Sequence, residues 1–176
     1  MNGEQDWKEV VEAHGPLVWQ AAYRLLDNHA DVADCFQETF LAAWQLSRTQ
    51  PVRHIRSLLV RLATAKAIDR LRYRRRWAQR CVGSTEADDL PGVICDPSSQ
   101  SQAMELADGL RAALTHLPSQ QAQAFCLRHL NDMSQQEVAL ELGVSANAAG
   151  VLIHRARKRL QQILRTHVDN PSEVLP

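Results

Sequence analysis

The stretch from Ala139 to Arg159 limits the possible folds more than any other part of the chain. It reads Ala-Leu-Glu-Leu-Gly-Val-Ser-Ala-Asn-Ala-Ala-Gly-Val-Leu-Ile-His-Arg-Ala-Arg-Lys-Arg. Ser134-Gln135-Gln136-Glu137 just before it has the form of a capping box, with Ser at the N-cap and Glu at N3. Gly143 suits the left-handed turn that ends a short helix, and Ser145 suits the cap of the next. Val138, Leu142, Val144, Ala149 and Leu152 stand at offsets that pack the two helices together, and the small Ala139 lets them approach. This is the pattern of a helix-turn-helix, whose second helix enters a DNA major groove. A plain helical hairpin has no need of the basic run Arg155, Arg157, Lys158, Arg159 beyond the turn.

The rest of the chain is predicted to be helical too. Gly and Pro are scarce, seven each in 176 residues, which disfavours turn-rich β structure. A first short helix is expected from Asp6 to Ala13, broken at Gly15-Pro16. Pro16 would then open a second helix with a stripe of Leu17, Val18, Ala21, Ala22 and Leu25. Ala30 to Leu46 forms the next, with Val32, Phe36, Phe40, Ala43 and Trp44 on one side and Asp31, Asp34 and Glu38 toward its start. Ser47 to Pro51 reads as a break. A long helix follows from about Val52 to Arg80, buried through Ile55, Leu58, Leu59 and Leu62 and then basic. Helices at about Met104–His116 and Pro118–Leu130 precede the capping box. The last helix is expected to reach about Arg165.

The net charge of zero conceals segregation. Residues 48–80 carry 11 basic side chains and 1 acid, a net +10, between flanking segments 1–47 and 81–109 that are each −6. A helix whose only acid is Asp69 gains few i,i+4 pairs of its own, so phosphates are the expected neutralising partner. Tyr73 and Trp77, interleaved in it, suit either stacking on unpaired bases or packing in a core. Residues Cys81 to Gln102 hold Gly, Pro, Ser and acids with no basic residue, the composition of a linker without stable structure.

Other classes of function find little support. No nucleophile–base pair, metal cluster or phosphate loop is visible, so an enzyme is not expected and no cofactor is implied. The four cysteines are irregularly spaced and read as plain thiols. The first residues lack a basic and apolar leader, and no apolar run approaches the ~18 residues of a membrane span, so a cytoplasmic protein without membrane insertion is expected.

Taken in order, these parts resemble an extracytoplasmic-function sigma factor of bacterial RNA polymerase, over about Gly15 to Leu164. The resemblance rests on four groups of residues: Asp31-Val-Ala-Asp34-Cys-Phe-Gln37-Glu38-Thr-Phe40-Leu-Ala-Ala-Trp44; Leu59-Val-Arg61-Leu62-Ala63 with Ala67-Ile68-Asp69-Arg70-Leu71-Arg72; Leu142-Gly143-Val144-Ser145; and His154-Arg155-Ala156-Arg157-Lys158-Arg159-Leu160. It implies an all-α fold of two small helical domains, a region-two bundle (1–80) and a region-four helix-turn-helix (104–165). A flexible acidic linker (81–103) joins them, and a frayed tail (166–176) ends the chain. It implies core RNA polymerase and promoter DNA as partners, with an anti-sigma protein as regulator.

By the same resemblance, core polymerase would be met by Asp31, Asp34, Gln37, Glu38, Phe40 and Trp44. The minus-ten element would be met by Arg53, His54, Arg61, Lys66, Arg70, Arg72, Tyr73, Arg74, Arg75 and Arg76. The helix-turn-helix would offer Ser145, Asn147, Ala148, Val151, His154, Arg155, Arg157 and Lys158 to DNA. The chain departs from the family where Trp is usual at Leu58, Asn at Ala65, Thr at Ala148, Lys at Gly150 and Arg at Leu152. Ala, Gly and Leu form no side-chain hydrogen bonds, and each absent bidentate base contact removes ~1–3 kcal/mol of discrimination. Two other readings remain at this stage: a stand-alone helix-turn-helix regulator, and a degenerate sigma relative that acts by sequestering a protein.

Overall fold

A computed structural model describes residues 6–81 and 100–169, and among these every regular element is an α-helix. Helix α1 (Trp7–Tyr23) starts on Asp6, whose carboxylate accepts the Lys8 N–H at 2.8 Å. The predicted break at Gly15-Pro16 does not occur, and one helix runs through both residues. Proline inside a helix forfeits one backbone hydrogen bond. The tertiary reason to keep this stretch helical is visible at Gly15, where an added Cβ would stand 3.5 Å from the Phe36 ring. Gly15 is buried in contact range of the next helix, so this stretch is packed as part of a continuous helix.

That helix, α2 (His29–Thr49), is capped by Asn28, which accepts the Asp31 N–H at 2.8 Å. It continues past the predicted break at Ser47. The Ser47 and Thr49 hydroxyls donate back to the Trp44 and Leu46 carbonyls at 2.7 and 2.9 Å and so accommodate residues otherwise suited to a turn. Helix α3 (Ile55–Cys81) is the longest among the described residues, and it packs against α1, α2 and helices of the second half of the chain.

After residues 82–99, which lie outside the described set together with most of the predicted linker, the chain is helical again from Gln100, earlier than expected. Helices α4 (Gln100–Thr115), α5 (Ser119–His129), α6 (Gln135–Leu142) and α7 (Ala146–Asp169) follow. The capping box is present: Ser134 Oγ accepts the Glu137 N–H at 3.2 Å, and Glu137 Oε2 accepts the Ser134 N–H at 2.7 Å. Gly143 has φ of 65° and ends α6 in the left-handed conformation. Ser145 Oγ accepts the Ala148 N–H at 3.2 Å and starts α7. The last helix runs to Asp169, past the fraying predicted from Thr166.

Three apolar clusters hold these helices. One belongs to α1, α2 and α3 and is built on Val18, Phe40, Ala43 and Leu59. A second is shared: Leu25, Leu26, Val32, Ile68 and Leu71 from the first half of the chain pack with Leu114, Leu117, Cys126 and Leu160 from the second. In the third, Val60 of α3 is buried among Ala124, Leu127, Met133, Val138, Ala139 and Ala149. Burying a side chain such as Leu or Val contributes ~1.5–3 kcal/mol. The two helical groups are therefore closed on each other along one face of α3.

Candidate nucleic-acid and polymerase interface

Helix α3 has three faces with different partners. Along the first, Lys66, Arg70 and Arg74, spaced one turn apart, lie against the acids of α2 and its leading turn. Lys66 Nζ is 3.1 Å from Glu38, Arg70 is 3.1 Å from Asp34 and 3.6 Å from Asp31, and Arg74 is 3.0 Å from Asp27 and 3.4 Å from Asp31. Arg70 also donates to the Asp31 carbonyl at 3.2 Å. Burial works to raise the Asp27 carboxyl pKa, but the hydrogen bond and charge from Arg74 outweigh it, and the net shift is downward. The basic row is thus neutralised in part within the protein, by acids that lie far away in sequence. Each such pair is partly exposed and is worth ~0–1 kcal/mol, so phosphate can compete for these guanidinium groups.

The second face meets the other half of the chain. Arg61 Nε is 3.2 Å from Glu141 Oε2 of α6. Burial dominates at Glu141 and pushes its carboxyl pKa up despite the Arg61 charge. Thr64, fully buried, accepts from Asn131 Nδ2 at 3.3 Å, and Arg72 donates to the Leu117 carbonyl at 2.7 Å. Arg75 Nη1 donates to Thr115 Oγ1 at 3.2 Å. Arg24 of the turn after α1 donates to the Leu130 carbonyl.

The third face is open. Tyr73 and Trp77 are 59% and 56% exposed, so the structure places both outside any core. Arg76 is exposed beside them, and Arg53 and His54 are exposed on the approach to α3, where the His54 carbonyl accepts the Leu58 N–H at 3.1 Å.

On α2 the outward face is formed by Asp34, Gln37, Glu38, Leu41 and Trp44. Arg48 lies over the Trp44 ring, 5.1 Å from its centroid. One expectation needs correction here. Phe40, taken from the resemblance as a contact residue, is 8% exposed and packs 4.9 Å from Phe36 in the first cluster; its period places it on the buried stripe with Val32 and Ala43. Leu41, by contrast, is 54% exposed, although the resemblance did not select it. Its spacing four after Gln37 and three before Trp44 was the available signal.

In the helix-turn-helix, Asn147, Val151, His154 and Lys158 recur along one exposed stripe of α7. Arg155 and Arg157 are exposed to either side of it. Ala149 and Ala156 are buried underneath, while Ala148 is half-buried and Ser145 is exposed at the cap. The Val151 side chain, 46% exposed, is the apolar part of this stripe. At the far end of α5, the His129 ring lies tilted against Phe125 with centroids 4.8 Å apart, and burial with the Arg128 and Arg157 charges lowers its pKa.

Cys35 and Cys126 are free and buried, with burial pushing their thiols up to about 11 and about 12. Among the described residues no group of three His, Cys, Asp or Glu could hold a metal ion, and no helix is long and apolar enough to cross a membrane.

The described residues form seven helices with an open basic-aromatic face and a helix-turn-helix, the architecture of a helical DNA-binding protein. Comparison with known proteins specifies it further. The Sigma-70 region 2 model matches residues 10–78, and the Sigma-70, region 4 model matches residues 107–160. The RNA polymerase sigma factor CnrH of Cupriavidus metallidurans is 34% identical over 163 residues, covering 89% of this chain and 85% of that protein. The ECF RNA polymerase sigma factor SigE of Mycolicibacterium smegmatis is 29% identical over 161 residues; the match covers 92% of this chain but 62% of the SigE length. The solved structure of CnrH in complex with the cytosolic domain of CnrY superposes with a TM-score of 0.57 at 27% identity, covering 94% of this chain and 91% of that one. The chain belongs to the sigma-70 family, in its extracytoplasmic-function group.

Proposed function

We propose that this chain is an alternative sigma factor: it binds core RNA polymerase in the cytoplasm and directs it to promoters, without catalysing a reaction itself. The observation that carries this reading is the presence, on one chain, of two separate exposed basic surfaces suited to DNA. These are the basic-aromatic face of α3 and the stripe of α7. A stand-alone regulator needs only the second. The outer face of α2, with Gln37, Glu38, Leu41 and Trp44, is the surface for core polymerase, and Asp31 and Asp34 hold Arg70 and Arg74 in place behind it.

At the minus-ten element, Tyr73 and Trp77 stack on bases of the opened strand. Each such stack is worth ~1–3 kcal/mol. Arg53, His54, Arg76 and the α3 basic residues from Arg61 to Arg75 neutralise its phosphates. At the upstream element, Arg155, Arg157 and Lys158 anchor the backbone beside Ser145, Asn147, Ala148, Val151 and His154. In this reading the closed arrangement is the polymerase-free state, because Arg61, Arg72 and Arg75 are occupied by the second half of the chain. An anti-sigma protein is the regulator that would hold such a factor; the CnrH relative was solved with the cytosolic domain of CnrY.

The decisive experiment is transcription in vitro with purified core polymerase on a genomic promoter library. New, sequence-specific starts are expected. A second reading, a sigma relative that sequesters polymerase, is favoured by the bare first turns of α7. It would give polymerase binding with no starts beyond those of core alone, and that result would refute the proposal.

A further inference from the structure

The first turns of α7 carry Ala146, Asn147, Ala148, Ala149, Gly150 and Val151, and so offer few groups to a base edge. The gap is filled from the neighbouring helix. Gln135, the first residue of α6, is exposed, and its Nε2 donates to the Ala146 carbonyl at 2.6 Å. An added Cβ at Gly150 would stand 2.7 Å from Gln135 Nε2 and 3.3 Å from its Cδ. The carboxamide therefore occupies the place that any side chain at position 150 would take. The absent side chain and the incoming one form a single arrangement.

We propose that Gln135 is a specificity residue of the helix-turn-helix, with its carboxamide, laid over Gly150, reading adenine in the major groove of the upstream promoter element. The chemistry selects the base. Ala146 takes one Nε2 hydrogen; with the hydrogen trans to Oε1 in that bond, the cis N–H and the Oε1 carbonyl stay side by side for a base. Adenine presents an acceptor at N7 and a donor at N6 in the major groove, the complement of that pair. Guanine presents two acceptors and leaves Oε1 facing an oxygen. The bond to Ala146 also fixes the side chain before DNA arrives, which reduces the ordering cost of the contact.

The inference rests on the sigma-factor reading, and one experiment separates the two. Holoenzyme assembled from core polymerase and this chain transcribes a promoter library randomised across the upstream element, with transcripts sequenced. The intact chain should prefer adenine at one upstream position by about tenfold, the scale of one bidentate side chain–base contact. Gln135→Ala should flatten that position alone and leave the minus-ten preferences intact. Gly150→Ala should flatten the same position, because its Cβ displaces the carboxamide. Since Ala favours helix over Gly, that variant should melt no lower than the original chain. The double variant should be no flatter than either single one. An adenine preference that survives Gln135→Ala overturns the inference, as does a uniform loss across all sequences, which would make Gln135 a phosphate contact. Starts no different from core alone would instead overturn the sigma-factor reading, and the inference with it.

Discussion

Val60→Asp tests the closed arrangement at a single side chain. Val60 belongs to α3, yet its buried neighbours run from Ala124 to Ala149, and it is 5% exposed. Separating the two halves of the chain would place position 60 on the open face of a helix. Removing the buried valine loses ~1.5–3 kcal/mol of apolar burial. Placing a carboxylate among these apolar side chains adds a desolvation cost of several kcal/mol. In the separated state the same substitution costs only a few tenths of a kcal/mol in helix propensity. The closed state should therefore lose about 5 kcal/mol relative to the open one, more than a thousandfold in population. Small-angle X-ray scattering reads the outcome directly. A compact chain of 176 residues has a radius of gyration of about 16 Å, and the variant should exceed it clearly with helicity retained by circular dichroism. Val60→Ala, which loses about two methyl groups, should shift the balance by about tenfold in the same direction. Scattering that is unchanged by Val60→Asp in a fully helical protein would refute the argument that this contact holds the halves together.

Two further outcomes follow from the site. Replacing both Arg72 and Arg75 by Glu should abolish promoter opening, read by permanganate footprinting, while leaving co-purification with core polymerase intact; loss of both would show that α3 itself had failed to fold. Glu137 has a lowered carboxyl pKa because the Ser134 backbone N–H and hydroxyl bond to it, with burial opposing weakly. A depressed folded-state value means that stability is present above the ordinary 4.5 and is lost as pH falls through and below it. Glu137→Gln should accordingly remove part of the acid dependence of the melting temperature below about pH 5, and an unaltered profile would show that the capping box contributes nothing to it.

What was legible in the sequence was the chemistry that acts within one turn of helix. Ser134 with Glu137, Gly143 and Ser145 signal their caps through backbone groups a few residues away, and the structure has each of them. What was not legible depended on partners far along the chain. Gly15-Pro16 reads locally as a stop, but Gly15 is buried in α1 within van der Waals range of the Phe36 ring on α2. The basic row of α3 reads as uncompensated, but its acids are 28 to 47 residues distant, on α2 and the turn before it. Phe40 and Leu41 are neighbours in sequence with opposite fates, and there the helical period that put Phe40 on the stripe of Val32 and Ala43 was the better guide than the resemblance.

The closed arrangement shows the same limit and also the clue that was available. The sequence predicts a buried face for α3 from Ile55, Leu58, Leu59 and Leu62. Yet Val60, Ala63, Ala67, Ile68 and Leu71 are buried as well, together with Thr64. Those residues extend around the helix beyond what one neighbour can cover, and a helix apolar on more than one side requires more than one partner. Helices α1 and α2 cover one side; α5 and α6 cover Val60 on another, where Asn131 of the turn between them meets Thr64. The basic residues Arg61, Arg72 and Arg75 flank that second seam and are satisfied by Glu141, the Leu117 carbonyl and Thr115. A surface suited to phosphate is thus also suited to close on the chain's own second half. The excess apolar width of α3 is the part of the sequence that records this second use.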